Sequence, residues 1–263
     1  LMGADIDLNN QEVKDELRRW GDWFVRTTDV DGFRMDAVKH MQFLFFQEWL
    51  TALRSDVKSE LFTVGEYWSG DIDALENYLE MTEGALSLFD VPLHFRFADA
   101  SNGGGDYDMR SLFDNTLLQR NPGKTVTFVD NHDTQPNQAL TSCVQDWFKP
   151  LAYAIILLRQ DGYPCVFYGD YYGIDASDVP AMGDWIGQMV RIRKNYAYGT
   201  QNDYFAPANI VGWTPEGAVE HPDSGLAVIM LNHARGKTRT YMRHTFARRS
   251  LFATFGRRTY TSV

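Results

Sequence analysis

Three carboxylates follow apolar runs in this 263-residue sequence, and they are the first sign of a functional site. Asp36 comes after "GFRM", Glu66 after "FTVG", and Asp133 at the end of "TVTFVDNHD". Charged groups are rarely buried without a partner, so each run that begins as a buried strand is expected to end at a polar site. Paired carboxylates in different environments can serve as a nucleophile and a general acid.

The neighbours of these acids favour such a division of roles. Arg34 lies two residues before Asp36, on the same face of a strand, where its guanidinium would orient that carboxylate. Tyr67 and Trp68 follow Glu66, and their rings would partly desolvate it, as suits a general acid. Such a pair is the equipment of a glycoside hydrolase, and a separation of about 5 to 5.5 Å would give retention of configuration.

Asp133 follows Asn131 and His132, whose side chains are suited to hydrogen bonds with sugar hydroxyls. The alternative for any single acid is that it caps a helix or pairs with a surface lysine. Three acids at strand ends, with Arg34 and His132 beside them, favour an active site instead.

Short apolar runs alternate with helical patterns, which predicts an α/β fold with a parallel sheet. After residue 200 short alternating strands predict the start of a small antiparallel β domain. We therefore divide the chain into residues 1–200 and 201–263. The predicted parallel strands are 31–38, 61–67, 86–91, 125–131 and 164–170, and the predicted helices are 11–28, 41–57, 73–81, 107–115, 138–159 with a break at Pro150, and 180–197.

Composition excludes several functional classes. The net charge is −10, although the segment 232–263 carries eight basic residues and no acids. An acidic body argues against nucleic acid as the main partner, because phosphates would be repelled. No apolar run reaches the ~20 residues that a membrane span needs. Cys143 and Cys165 are expected to be free thiols, and the compartment, secreted or cytoplasmic, stays open.

The sequence resembles the α-amylase family of glycoside hydrolases, and most of all its bacterial liquefying and cytoplasmic branch. "GFRMDAVKH" matches the fourth-strand motif of that family, "GEYW" the fifth-strand motif and "FVDNHDT" the seventh-strand motif. Other stretches, such as "LMGADIDLNN", "FDVPLHFRF" and "VFYGDYYG", extend the match over about residues 1 to 230. The resemblance implies strands four to eight of a TIM (β/α)₈ barrel, followed by an incomplete β domain.

The resemblance also implies roles for individual residues in a retaining endo-hydrolase of α-1,4-glucans such as starch, glycogen and maltodextrins. Asp36 would be the nucleophile that forms a covalent glycosyl-enzyme intermediate. Glu66 would be the general acid and then the base. Asp133 would bind the sugar at which cleavage occurs. The residues that would contact substrate are Arg34, Lys39, His40, Trp68 and His132; the alternative for Trp68 is ordinary packing in the core.

Calcium is the cofactor that the resemblance implies. Asp5 matches a side-chain ligand of the structural ion, to which His40 would contribute its backbone carbonyl. Asp7 matches a ligand of a second ion, but Asn9 stands where some relatives have an acid. From the residues alone, Asp5 and Asp7 could equally belong to a solvated loop before a helix. A further site near Gly105 is not predicted, because Ala208 and Asn209 replace its ligands.

The chain departs from the family pattern at both ends. Three barrel strands precede "LMGADID" in the family, and the residues after about Met242 no longer resemble the family β domain. We expect this segment on its own to be poorly soluble and inactive, and the whole protein to be a monomer. Two alternatives stay open: a transglycosylating enzyme of the same family, and a glucan-binding fragment that lacks catalysis.

Overall fold

A five-stranded parallel sheet and the helices between its strands form the larger part of the molecule. In the computed structural model, residues 6–232 are described in full and residues 239–243 and 252–255 as backbone strands. The parallel strands are β1 Gly32–Met35, β2 Phe62–Gly65, β3 Ser87–Phe89, β4 Thr125–Phe128 and β5 Tyr163–Cys165. They pair in chain order, each with the next.

Helices precede, connect and follow these strands, as the alternating pattern predicts. They are α1 Gln11–Thr28, α2 Phe43–Asp56, α3 Ile72–Met81, α4 Val91–Gly103, α5 Leu117–Arg120, α6 Lys149–Leu158, α7 Tyr168–Tyr172 and α8 Gly183–Tyr196. Within the described residues, no helix is long and apolar enough to cross a membrane. Cys143 and Cys165 are free thiols.

The parallel sheet is curled as part of a barrel would be. The rings of Phe62 and Tyr163 lie 5.3 Å apart between centroids, although two strands separate β2 from β5 in the sheet. β1 and β2 also approach closely, since a Cβ on Gly32 would lie 1.8 Å from the Phe62 carbonyl oxygen. A parallel, curled arrangement brings the carboxyl ends of all five strands to one edge.

A second, antiparallel sheet follows, in the order β10-β9-β8-β7-β6. It shares a core with α6 and α8: Trp213 is fully buried, and its indole N–H donates to the Leu158 carbonyl at 3.0 Å. The division of the chain at residue 200 therefore stays a prediction, because no separate core marks it. Its strands are β6 Gln201–Tyr204, β7 Ile210–Pro215, β8 Ala227–Leu231, β9 Arg239–Arg243 and β10 Phe252–Phe255.

Two predicted helices were wrong. Residues 107–115 contain only a short 3₁₀ turn, Met109–Ser111, and the helix before it is α4, capped by the side chain of Asp90. Residues 138–148 are irregular, and α6 begins with Pro150 in its first turn rather than being broken by it. Backbone N–H groups of this segment bind distant side chains instead, as Val144 does to Asp130.

Candidate active site

The register of β1 and β2 sets Asp36 beside Glu66. Met35 pairs with Gly65, and the backbone N–H of Glu66 donates to the Met35 carbonyl at 2.8 Å. Asp36 and Glu66 are therefore matching positions just past the paired strands. Side chains at matching positions of parallel strands point to the same face.

Arg34 joins these two carboxylates. Its guanidinium donates to Asp36 Oδ1, and its Nη2 lies 3.7 Å from Glu66 Oε2. The two acids differ in environment, since the side chain of Asp36 is 73% exposed and that of Glu66 only 9%. One open and one buried carboxylate, held by one cation, can divide the roles of nucleophile and acid–base catalyst.

The turn after β1 gives Glu66 a further partner. Ala37 has a left-handed backbone, φ 49°, which a residue with a Cβ rarely adopts. Its N–H donates to Glu66 Oε2 at 2.9 Å. Strained backbone of this kind is concentrated at functional sites, where surrounding structure maintains it. Here the strained residue, Ala37, donates the hydrogen bond that holds the buried carboxylate of Glu66 in place.

Three predicted substrate contacts lie close to this pair, in the loops that follow β1 and β2. Lys39 Nζ donates to the Trp68 carbonyl at 2.8 Å, which ties the two loops together. His40 closes the 3₁₀ turn Val38–His40 and is exposed. Trp68 is half-buried, and its ring packs edge-on against Phe95, with centroids 5.9 Å apart. Trp68 thus contributes to packing and also keeps part of its surface accessible.

Asp133 and His132 lie in the turn after β4, at the same edge of the sheet but two strands from β2. His132 Nε2 is 3.3 Å from Asp133 Oδ2. Among the described residues, no hydrogen bond or ion pair joins Asp133 to Asp36 or Glu66. Asn131 shapes this turn, because its Oδ1 accepts the backbone N–H groups of Asp133 and Thr134, both at 2.9 Å.

A buried ionic cluster lies beneath this turn and was not predicted from the sequence. Lys149, at the start of α6, lies between Asp130, which follows β4, and Asp170 in α7. Burial, and then the nearby Asp170 carboxylate, raise the pKa of Asp130 to about 7 against the lowering effect of Lys149. Burial lowers the pKa of Lys149, but the two carboxylates raise it above its ordinary value overall. The signal in the sequence was a charge inside apolar runs, in "WFKPLAY" and "VFYGDYY".

The described residues do not complete a calcium site. Asp5 lies outside them. Asp7 is exposed, and its carboxylate accepts the backbone N–H of Asn9 at 3.0 Å. No three acid, histidine or cysteine side chains in the described part of the chain are grouped to hold a metal ion.

Near Gly105, backbone carbonyls face amide groups. Asn209 Nδ2 donates to the Gly105 carbonyl at 2.6 Å. Asn232 is fully buried, and its Nδ2 donates to the carbonyls of Gly104 at 2.9 Å and Tyr107 at 3.0 Å. These amides attach the start of β7 and the end of β8 to the loop after α4.

Comparisons with known proteins agree on one family. The alpha-amylase catalytic-domain family matches residues 2–213. The chain is 52% identical over 261 residues to an alpha-amylase of Geobacillus stearothermophilus, covering 99% of this chain and 48% of that protein. It is 39% identical to the cytoplasmic alpha-amylase of Escherichia coli K12, covering 95% of this chain and 52% of that protein. The chain thus spans about half the length of the curated relatives it matches.

A solved structure supports the fold. The alpha-amylase of Geobacillus thermoleovorans, complexed with acarbose, superposes with a TM-score of 0.69 at 21% sequence identity. The match covers 93% of this chain and 58% of that one. The partial barrel and the small antiparallel sheet are therefore those of a known architecture, as the sequence predicted.

Proposed function

Since this chain belongs to the alpha-amylase family, we propose that the whole protein is a retaining endo-hydrolase of α-1,4-glucosidic bonds in starch, glycogen and maltodextrins. The observation that carries the proposal is the pair of unlike carboxylates, Asp36 and Glu66, joined by Arg34. Because the chain spans only about half the length of these relatives, the activity is proposed for the whole protein and not for this segment alone.

Asp36 is the nucleophile in this proposal. Its exposed carboxylate stands free to attack the anomeric carbon, while Arg34 fixes its direction. Attack expels the leaving sugar and forms a covalent glycosyl-enzyme ester. Water then hydrolyses the ester and releases a product with the original anomeric configuration.

Glu66 is the acid–base catalyst. It donates a proton to the leaving glycosidic oxygen in the first step and takes a proton from water in the second. Its burial and its bond from the Ala37 N–H keep one oxygen fixed, which leaves the other available for proton transfer. This division matches the different exposure of the two acids.

The remaining site residues bind the glucan. Asp133 and His132 contact hydroxyls of the sugar at which cleavage occurs, and Asp133 stabilises the positive charge that develops there. Lys39, His40 and Trp68 bind glucose units on the leaving-group side, where the exposed part of the Trp68 ring can stack on a sugar face. This assignment is supported by the position of these residues in loops at the same edge of the parallel sheet.

Calcium binding is proposed for the whole protein, on Asp5 and the His40 carbonyl, with Asp7 at a second ion. A metal that binds only the folded protein stabilises it by mass action. We therefore expect EGTA to lower the Tm of the whole protein and added Ca²⁺ to restore it. A Tm unchanged by the chelator would contradict this part of the proposal.

The test of the activity is Glu66→Gln in the whole protein, assayed for reducing-sugar release from starch. We expect the variant to lose activity by at least about 100-fold, since general acid–base catalysis contributes about 10² to 10⁴. Near-normal activity would refute the assignment. Product analysis separates the alternatives: linear maltooligosaccharides indicate hydrolysis, cyclic or branched products indicate transfer, and glucan binding without release indicates a binding module. Gel filtration tests the proposed monomer.

A further inference from the structure

We propose that the buried cluster of Lys149, Asp130 and Asp170 positions Asp133 for the reaction, through a chain of hydrogen bonds to the turn that carries it. This inference rests on the proposed function, since it gives a purpose to a charged cluster that does not itself reach the substrate. Lys149 and Thr134 are its positioning residues.

The cluster joins three elements at the carboxyl edge of the parallel sheet. Lys149 Nζ, at the start of α6, lies 3.2 Å from Asp130 Oδ2 and 2.5 Å from Asp170 Oδ1. The hydroxyl of Tyr153 donates to Asp170 Oδ2 at 2.7 Å. Each of these side chains is at least 95% buried. The end of β4, the start of α6 and α7 are therefore held together by one ammonium group.

A continuous path leads from this cluster to Asp133. The hydroxyl of Thr134 donates to Asp130 Oδ1 at 3.0 Å and accepts the backbone N–H of Asn131 at 2.9 Å. Asn131 Oδ1 in turn accepts the Asp133 N–H at 2.9 Å. Thr134 is fully buried, so it touches no substrate. A shift of Asp130 would be transmitted to the backbone of Asp133 through two hydrogen-bonded residues.

The charge balance argues that the cluster serves more than stability. One ammonium is buried with two carboxyl groups, so ionisation of both would leave an excess negative charge in a place where burial is costly. The pKa of Asp130 is raised because burial disfavours the ionised form of its carboxyl group. Well-packed apolar residues would be as stable or more so. A cluster of this kind fixes geometry, because each partner must keep its place for the others to stay satisfied.

Other charged groups near the cluster do not complete it. Asp146 lies 4.0 Å from Lys149 Nζ but is 62% exposed. His94 Nδ1 lies 3.9 Å from Asp130 Oδ1, and burial lowers the pKa of His94 to about 4, so this ring is neutral near pH 7. Lys149 is thus the cation that both buried carboxylates share among the described residues.

The same helix supplies a matched control. Arg159, directly after α6, is also buried and forms two hydrogen bonds with Asp203, at 2.7 and 2.8 Å. It joins the far end of α6 to β6, away from the carboxyl edge of the parallel strands. Lys149→Met and Arg159→Met each remove one buried cation from this region, but only the first cation connects to Asp133.

The experiment measures kcat, KM and Tm on maltooligosaccharides for both variants in the whole protein. We expect Lys149→Met to lower kcat by about 10- to 100-fold, as small misplacements of a reacting group do, with KM changed by less than about threefold. Arg159→Met is expected to lower Tm but leave kcat within about twofold. Equal losses of kcat in the two variants would mean a purely structural role and would overturn the proposal.

A second pair of variants covers the case in which Lys149→Met does not fold. Thr134→Val keeps the shape of the side chain and removes the hydroxyl, whereas Thr134→Ser keeps the hydroxyl. We expect the valine variant to lose kcat like Lys149→Met and the serine variant to retain it. Wild-type kcat in Thr134→Val would overturn the proposal. Failure of the proposed function looks different: either the wild-type protein releases no linear maltooligosaccharides, or Glu66→Gln stays active, whatever the other variants do.

Discussion

Removal of Arg34 should separate the two acids of the active site without unfolding the protein. Arg34 touches Asp36 and lies near Glu66, and its own side chain is 35% exposed. In Arg34→Met, Asp36 loses the partner that sets its direction, and its side chain is 73% exposed and free to turn toward water. The fraction of molecules in which Asp36 can attack should fall.

The size of the effect follows from the ion-pair geometry. Asp36 is the ionised acid that Arg34 contacts, and two unit charges about 4 Å apart attract by about 1 kcal/mol with the dielectric constant of water and by about 4 kcal/mol with one of 20. Partial exposure of Arg34 places the interaction between these values, at about 2 kcal/mol. A loss of that size corresponds to about 30-fold in rate.

The assay is steady-state hydrolysis of a maltooligosaccharide by Arg34→Met and Arg34→Lys in the whole protein. We expect kcat to fall about 30-fold in the first and less in the second, since one ammonium reaches only one of the acids. Arg120→Met is the control: Arg120 is also 35% exposed and also bridges two acids, Asp73 and Glu76, but far from the site. Wild-type kcat in Arg34→Met, or an equal loss in Arg120→Met, would show that Arg34 does not orient Asp36 for attack.

Three further expectations concern two buried side chains and the half-buried Trp68. Asp90→Ala should lower the free energy of unfolding by about 3 kcal/mol or more, measured in urea, because the buried carboxylate accepts three backbone N–H groups; a loss below about 1 kcal/mol would contradict this. Burial lowers the pKa of His94 to about 4, so the folded protein keeps this ring neutral while the unfolded chain takes up a proton below about pH 6.5. Relative to His94→Gln, the wild type should therefore lose about 3 kcal/mol of stability between pH 6.5 and 4, and parallel pH curves would refute the assignment. Trp68→Ala should raise KM for maltooligosaccharides by up to about tenfold if the ring stacks on a sugar; a lower Tm with unchanged KM would show that the ring only packs.

The contact between Arg34 and Asp36 could be predicted from the sequence because it is local. Arg34 and Asp36 are two residues apart on one strand, and their predicted contact is present in the structure. The parallel strands and the sheet edge followed from apolar runs and from the resemblance to a known family. The fold class is confirmed, whereas the roles of the individual residues stay predictions.

The predicted helices failed where tertiary contacts outweigh local pattern. Residues 138–148 look helical in sequence, but the N–H of Val144 is taken by Asp130, and that of Gln145 by Ser101. Asp130 and Ser101 both lie outside the segment, so its own sequence does not reveal these contacts. Buried side-chain acceptors of this kind bind backbone N–H groups that would otherwise form helical hydrogen bonds, so the segment does not become a helix.

The ionic cluster could not be predicted for a related reason. Lys149 is 19 residues from Asp130 and 21 residues from Asp170, so only the fold brings them together. A lysine ahead of a proline and an apolar helix looks like an ordinary surface residue at a helix start. Its burial depends on the packing of α6 against the sheet and α7.

A trapped covalent intermediate would identify Asp36 as the residue that attacks the sugar, with Glu66 as its acid–base partner. An activated, fluorine-substituted maltosyl fluoride forms a glycosyl-enzyme ester that is hydrolysed slowly. After incubation with the whole protein, peptide mass spectrometry should find one sugar adduct, on the peptide that contains Asp36, and Asp36→Asn should abolish it. An adduct on another carboxylate, or turnover in Asp36→Asn at the wild-type rate, would contradict the account.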